Sequence, residues 1–170
     1  MAPDANPPAR GRADPADEAR LDDAARSLAE RVEAAVPGWI ERLVVTRVRE
    51  WSGHVSPEVA AEAVAAGEAA RDDVVPRLRR LLETDIDEQR GNPLDLLRGA
   101  TRHADAVLER AGMPAVQRDQ FAERSFPSDR YDLMPATWAD IDPSLHEPGI
   151  TWGAAKAFVH KARRRAEGRK

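Results

Sequence analysis

The chain has 170 residues, a formal net charge of −4 and 42% hydrophobic residues, which is enough for one domain with its own core. The absence of Cys excludes disulfides and thiolate chemistry, and no apolar run reaches the roughly 18 residues of a membrane span. No secretory signal is recognisable at the N-terminus, so we expect a cytoplasmic protein without membrane contact.

The N-terminal third predicts a disordered leader followed by helix. Residues 1–16 are rich in Pro and charge and hold almost nothing large and apolar, so they cannot offset the entropy of ordering. An apolar stripe at spacings of three and four predicts a helix over about 16–35, and Pro37-Gly38 is expected to break it. Residues 39–51 fit a strand or a helix, and we favour helix because their apolar side chains share one helical face.

The middle of the chain carries start and stop signals for further helices. Ser56 is predicted to cap the next helix, with Pro57 in its first turn. The Ala-rich residues that follow are strong helix formers. We expect Pro76 to kink this helix or to begin a second one that ends near Glu88. Another helix is predicted over 93–111, with Gly112 as its stop. Its apolar stripe consists of Leu94, Leu97, Ala100, Ala104, Val107 and Leu108.

The C-terminal third predicts an irregular arm and a last helix. A short helix over 115–124 leads into the Pro-punctuated arm at 126–149, and six of the eight aromatic residues lie in or near it. The last helix begins near Thr151 and ends in a basic tail at 164–170. We therefore predict an all-α fold, a single-domain bundle of five or six helices over 17–163, with the Pro- and aromatic-rich arm before the last helix.

Several strings in the C-terminal half carry a resemblance to a known family. They are Glu83-Thr84-Asp85-Ile86-Asp87-Glu88-Gln89-Arg90, Asn92-Pro93-Leu94, Phe126-Pro127, Tyr131-Asp132-Leu133, Trp152-Gly153-Ala154-Ala155-Lys156 and His160. Over about residues 75–162 the chain resembles a family of small uncharacterised actinobacterial proteins. The resemblance implies a bacterial protein from a GC-rich genome, in agreement with the excess of Arg over Lys, and it implies no activity.

No motif defines a catalytic activity. The nucleophile elbow G-x-S-x-G, the P-loop and a G-x-G-x-x-G following a strand are all absent. The acidic residues 83–88 lack the EF-hand spacing, and a solvated helix end explains them better than a metal site does. No two of the four histidines, His54, His103, His146 and His160, stand at ligand spacing. We predict no catalytic residue, no metal and no cofactor, although a Ser–His–Asp set assembled in space stays open.

The aromatic residues of the arm define a candidate pocket. Tyr131 and Trp138 would form its walls, and His146 would lie at its mouth. In the alternative interpretation, which we favour, the rings are simply the core beneath the arm.

The clearest functional signal is the basic C-terminus. Residues 1–155 carry 29 acidic and 19 basic side chains, whereas 156–170 carry seven basic and one acidic. Two or three cations suffice to stabilise a helix C-terminus, so the excess indicates a phosphate or an acidic partner, although solubility also explains it. The candidate binding residues are Lys156, Lys161, Arg163, Arg164 and Arg165.

These observations favour a non-catalytic protein-interaction or regulatory module whose partner is another protein. The alternative is a nucleic-acid-associated protein that binds phosphates through its basic C-terminal helix. An enzyme built on the arm is the third hypothesis.

Overall fold

The computed structural model describes residues 15–83, 93–117, 129–135 and 137–145. Within these ranges lie three α-helices, α1 (Pro15–Ser52), α2 (Pro57–Glu83) and α3 (Pro93–Arg110), and one short 3-10 helix (Trp138–Asp140). These ranges contain no strand, so the predicted all-α class is confirmed for them. The predicted leader up to residue 14, the last helix and the basic tail lie outside the described residues.

The prediction of five or six helices is wrong for the part of the chain that the structure describes, which has three. The helix predicted to end before Pro37 and the one predicted after it are both parts of α1, and α2 continues through Pro76 in the same way. A proline inside a helix costs about 3 kcal/mol. Here one buried stripe runs along α1 on both sides of Pro37, including Val32, Val36, Ile40 and Val44. Burial of that continuous stripe against the other helices offsets the cost.

The two longest helices touch most closely at Pro37. Gly67 of α2 is buried against it, and a Cβ added at Gly67 would lie 2.5 Å from the carbonyl oxygen of Pro37. Only a residue without a side chain permits this distance between the backbones. The small residues Ala63, Ala66 and Ala70 are buried on the same face of α2. The Ala-rich composition of α2 therefore has two effects. It favours helix formation, and it allows α1 and α2 to pack at a short distance.

The helix ends follow the local signals of the sequence. The Ser56 side chain accepts a hydrogen bond from the Val59 amide at 3.3 Å, which confirms the predicted N-cap. At the end of α3, Met113 N donates to Leu108 O and Gly112 N donates to Glu109 O, each at 3.0 Å. Gly112 has a φ of 74°, which the left-handed turn of this Schellman motif requires.

Ion pairs between helices set the antiparallel register of the bundle. Arg79 of α2 bonds Glu33 of α1 at 2.7 Å, and Arg110 of α3 bonds Glu62 of α2 at 2.9 Å. The end of α1, the beginning of α2 and the end of α3 therefore meet at one end of the bundle. No helix among the described residues is long and apolar enough to span a membrane.

The predicted short helix over 115–124 is not present in its described part. Residues 115–117 are irregular, and the Val116 amide donates to the carbonyl of Arg130 at 2.8 Å. Pro114 has no amide hydrogen, and the Val116 amide is bonded to the arm, so this stretch pairs with the arm instead of forming a helical turn. The remainder of the predicted short helix lies outside the described residues.

The arm forms the last described part of the chain, at 129–135 and 137–145. Its apolar side chains enter the same hydrophobic core as the three helices. The members of that core from the arm are Tyr131, Leu133, Trp138, Ile141 and Leu145. The arm is therefore part of the folded core and not a loop laid over a finished surface.

Candidate functional site

Arginine side chains hold the arm on the bundle. Each donates a hydrogen bond to a backbone carbonyl of the arm, which has no regular partner strand or helix for those carbonyls. The pairs are Arg47 with Asp132 at 3.1 Å, Arg98 with Pro135 at 3.1 Å, Arg42 with Ile141 at 2.9 Å and Arg31 with Ser144 at 3.3 Å. Three of these arginines belong to α1 and one to α3, so the arm bridges the two helices and crosses α1 from its end toward its beginning.

Internal hydrogen bonds shape the arm at its two turns. The Asp129 carboxylate accepts the Leu133 amide at 2.7 Å, and Asp132 between them has a φ of 58°. Farther along, the Asp140 carboxylate accepts the Thr137 amide at 2.7 Å. These side-chain acceptors replace the backbone partners that an irregular segment lacks.

The hydrogen bond from Arg42 to the arm should make a small contribution to stability. We expect Arg42→Ala to lower the free energy of unfolding by about 1.5 kcal/mol, the low end of the range for a hydrogen bond from a charged group, because the Arg42 side chain is exposed although the Ile141 carbonyl belongs to a buried residue. Urea unfolding measures the change. Arg49→Ala is the matched control, because Arg49 is exposed on the same helix and makes none of the bonds to the arm. An equal loss in both variants would contradict this role of Arg42.

Two of the three predicted pocket residues are core residues of the arm. Tyr131 and Trp138 are 3% and 7% exposed and pack in the main hydrophobic cluster. His146 lies outside the described residues. The pocket thus stays a prediction, and the visible rings contribute to the packing that holds the arm.

The predicted phosphate-binding residues also lie beyond the described part of the chain. They are Lys156, Lys161, Arg163, Arg164 and Arg165. Their binding role stays a prediction from the sequence. Several of the arginines that the structure does describe donate hydrogen bonds to the arm or pair with carboxylates within the bundle.

A cluster of charged side chains at the contact between α3 and the arm was not predicted. Asp105 and Glu109 stand one turn apart on α3, and Asp129, Arg130 and Tyr131 face them from the arm. Burial raises the pKa of Asp105 to about 6, and the Asp129 carboxylate adds to the rise. Asp105 and Glu109 are four residues apart, so the sequence alone places them on one face of α3. No local pattern in the sequence predicts that Asp129 lies near them.

A second group of titratable side chains links α2 to α3. Asp73 Oδ2 lies 2.6 Å from Arg102 Nη2 and 3.5 Å from His103 Nε2. The ring nitrogen of His103 is buried without a hydrogen bond. No three His, Asp or Glu side chains among the described residues are arranged to hold a metal ion. This group therefore joins two helices and offers no ligand set of its own.

Among the residues that the structure describes, the one large aromatic side chain that is exposed lies at one end of the bundle. Trp51 is 47% exposed, whereas Trp39 and Trp138 are buried. Val116, which follows α3, is 44% exposed, and Val55, Val59 and Met113 are partly buried against the core. We call these five residues the apolar end, because they lie where α1 ends, α2 begins and α3 ends.

Comparison with known proteins identifies no relative. No protein-family model, no curated protein and no solved structure matches the chain. The resemblance over about residues 75–162 thus stays a prediction from the sequence. The function has to be argued from the residues themselves.

Proposed function

We propose that the protein is a cytoplasmic, non-catalytic protein-interaction or regulatory module whose protein partner contacts the apolar end. The observation that carries the proposal is the exposure of Trp51. An exposed Trp offers a large contact area at a small entropic cost, and such residues dominate the binding energy of many interfaces. No other Trp in the described part of the chain is exposed.

The position of Trp51 favours contact with a partner. It lies in the last turn of α1, beside the short connection to α2, where a partner can approach without meeting the flanks of the bundle. Val116 is a second exposed apolar residue of the apolar end, and the partly buried Val55, Val59 and Met113 of the same end pack against the core. Side chains that are already held by packing lower the entropic cost of binding.

The charge of the described residues favours a protein over a nucleic acid as the partner. They contain 21 Asp and Glu and 14 Arg, with no Lys, which is a formal net charge of −7. Such a body repels phosphates and attracts a basic protein surface. The basic residues 156–170 support the alternative, a nucleic-acid-associated protein, by their sequence alone.

A capture experiment with a matched variant tests the proposal. We expect the immobilised full chain to retain a protein from a lysate of its host after nuclease treatment. Binding of that purified protein should fall about tenfold or more with Trp51→Ala, in keeping with the loss of a central interface Trp. The fold of the variant should survive, because the ring is half exposed.

Val64→Ala is the control, because Val64 is 50% exposed on α2 and lies outside the apolar end. Its affinity for the captured protein should equal that of the parent chain. Retention that disappears on nuclease treatment would favour the nucleic-acid alternative. Retention that is unchanged in the Trp51→Ala variant would show that the interface does not include the apolar end.

A further inference from the structure

The contact between α3 and the arm contains a carboxyl with one buried oxygen atom that has no hydrogen-bond partner. The Oδ1 atom of Asp105 is inaccessible to solvent and unpaired. An unpaired buried carboxylate oxygen is costly in its ionised form. Protonation turns the carboxyl into a donor as well as an acceptor, which removes its charge and lets it bond a neighbouring oxygen.

A second buried carboxyl faces Asp105 from the arm. Asp129 is 5% exposed and its Oδ1 atom accepts the Leu133 amide, so its position is tied to the turn that begins the arm. Two ionised carboxylates at one buried contact repel each other, and the usual outcome is that one of them takes up a proton. The Leu133 amide already donates to Asp129, whereas Asp105 Oδ1 receives no hydrogen bond, so Asp105 is the carboxyl that gains most from taking up a proton.

Two further charged side chains among the described residues of α3 and the arm act on Asp105. Glu109 on α3 opposes ionisation of Asp105, and Arg130 on the arm favours it. Arg130 offsets only part of the effect, because it is exposed and its Nη1 lies 3.8 Å from Glu109 Oε1. Burial raises the pKa of Tyr131 as well, and the charges of Glu109 and Asp105 add to that rise. Negative charge therefore accumulates where the arm meets α3.

We propose that Asp105, facing Asp129, forms a proton-linked latch, which holds the first turn of the arm on α3 when Asp105 is protonated and loosens it when Asp105 is ionised. Opening of the arm exposes Asp105 to water and returns its pKa toward its ordinary value. The closed arm thus binds a proton more tightly than the open arm does. By linkage, closure is favoured below the pKa of Asp105 in the closed state and weakened as the pH rises through that value.

Opening has a clear structural consequence. The arm supplies Tyr131 and Leu133 to the hydrophobic core immediately after Asp129. Loosening at Asp129 therefore withdraws these side chains from α3 and uncovers apolar surface of the bundle. The latch lies on α3 and the arm, and its operation does not depend on Trp51 or on a partner at the apolar end.

Amide hydrogen exchange on the full-length protein tests the latch directly. The Leu133 amide, bonded to Asp129, and the Val116 amide, bonded to Arg130, report on opening at the contact. After correction for the intrinsic pH dependence of exchange, we expect their protection to be about tenfold or more higher at pH 5 than at pH 7.5, since one pKa unit corresponds to a tenfold change. The Val44 amide, in the middle of α1, should be protected more strongly than either.

Variants separate the latch from other titrations. Asp105→Asn keeps the shape and removes the charge, so protection at Leu133 should become independent of pH and remain at the high value. Asp129→Asn retains an oxygen that can accept the Leu133 amide, and it should reduce the pH dependence without abolishing it, because burial of Asp105 persists. Asp72→Asn, at an exposed carboxylate on α2, should behave as the parent chain does.

Three outcomes would overturn the latch. The first is a parent chain whose corrected protection at Leu133 does not change between pH 5 and pH 7.5. The second is an Asp105→Asn variant that keeps the full pH dependence. The third is equal protection at Leu133 and Val44, since the arm would then open only together with the whole molecule.

Discussion

Replacing Trp138 by Ala is expected to lower the free energy of unfolding by about 3–5 kcal/mol, the range for deletion of a buried aromatic ring. Trp138 is 7% exposed and is the first residue of the 3-10 helix in the arm. Its ring lies in the same core cluster as Ile141 and Leu145. Loss of the ring leaves a cavity where the arm packs against the core. The hydrogen bonds from the arginines to the arm do not replace this lost packing.

Urea unfolding followed by circular dichroism measures this effect. Trp51→Ala is the control, because it removes the same ring from a site that is 47% exposed, and it should cost about 1 kcal/mol or less. A Trp138→Ala variant that unfolds at the same urea concentration as the parent chain would show that the arm contributes little to the core.

The second large effect is expected at Gly67, where an Ala should destabilise the fold by about 2 kcal/mol. A Cβ at this position would lie 2.5 Å from Pro37 O, 2.9 Å from Pro37 Cα and 3.0 Å from Pro37 C. All three are backbone atoms of a helix, so no side-chain rotation relieves the overlap and α1 must move away from α2. Overpacking costs about 1–3 kcal/mol, and the upper part of that range exceeds the gain of about 1 kcal/mol in helix propensity.

Gly99 provides a control of opposite sign. It lies within α3, is exposed, and a Cβ added there would meet no atom within 4 Å. Gly99→Ala should therefore raise the free energy of unfolding by about 0.5–1 kcal/mol through helix propensity alone. Thermal melting of the two variants and of the parent chain distinguishes the effect of the close helix contact on stability from the effect of helix propensity. Stabilisation by both would disprove the contact between Gly67 and Pro37 as a constraint.

The Trp138 prediction and the proposed latch concern the same segment, the arm. Trp138 fixes its middle in the core, and Arg42 and Arg31 bond its later carbonyls to α1. Asp129 at its beginning faces the unpaired Asp105. The proposed latch therefore predicts that the arm opens first near Asp129 as the pH rises.

The sequence by itself determined those features that depend on neighbours within one or two helical turns. The stripe from Leu94 to Leu108 on α3 was predicted to be buried, and its members Leu94, Leu97, Ala100, Ala104, Val107 and Leu108 are all buried. The cap at Ser56 and the stop at Gly112 were likewise predicted and confirmed. Spacing of apolar residues and capping chemistry are local, so the sequence contains the whole interaction.

Only the tertiary structure decided the number of helices and the site on α3. The sequence shows the cost of Pro37 and Pro76 but not the packing on both sides that offsets it, such as the approach of Gly67 to Pro37. In the same way, the pKa of Asp105 is raised because folding partly buries its carboxyl and, to a lesser degree, because the Asp129 carboxylate comes near it. Burial and through-space charge depend on residues far apart in the chain, and no local pattern records them.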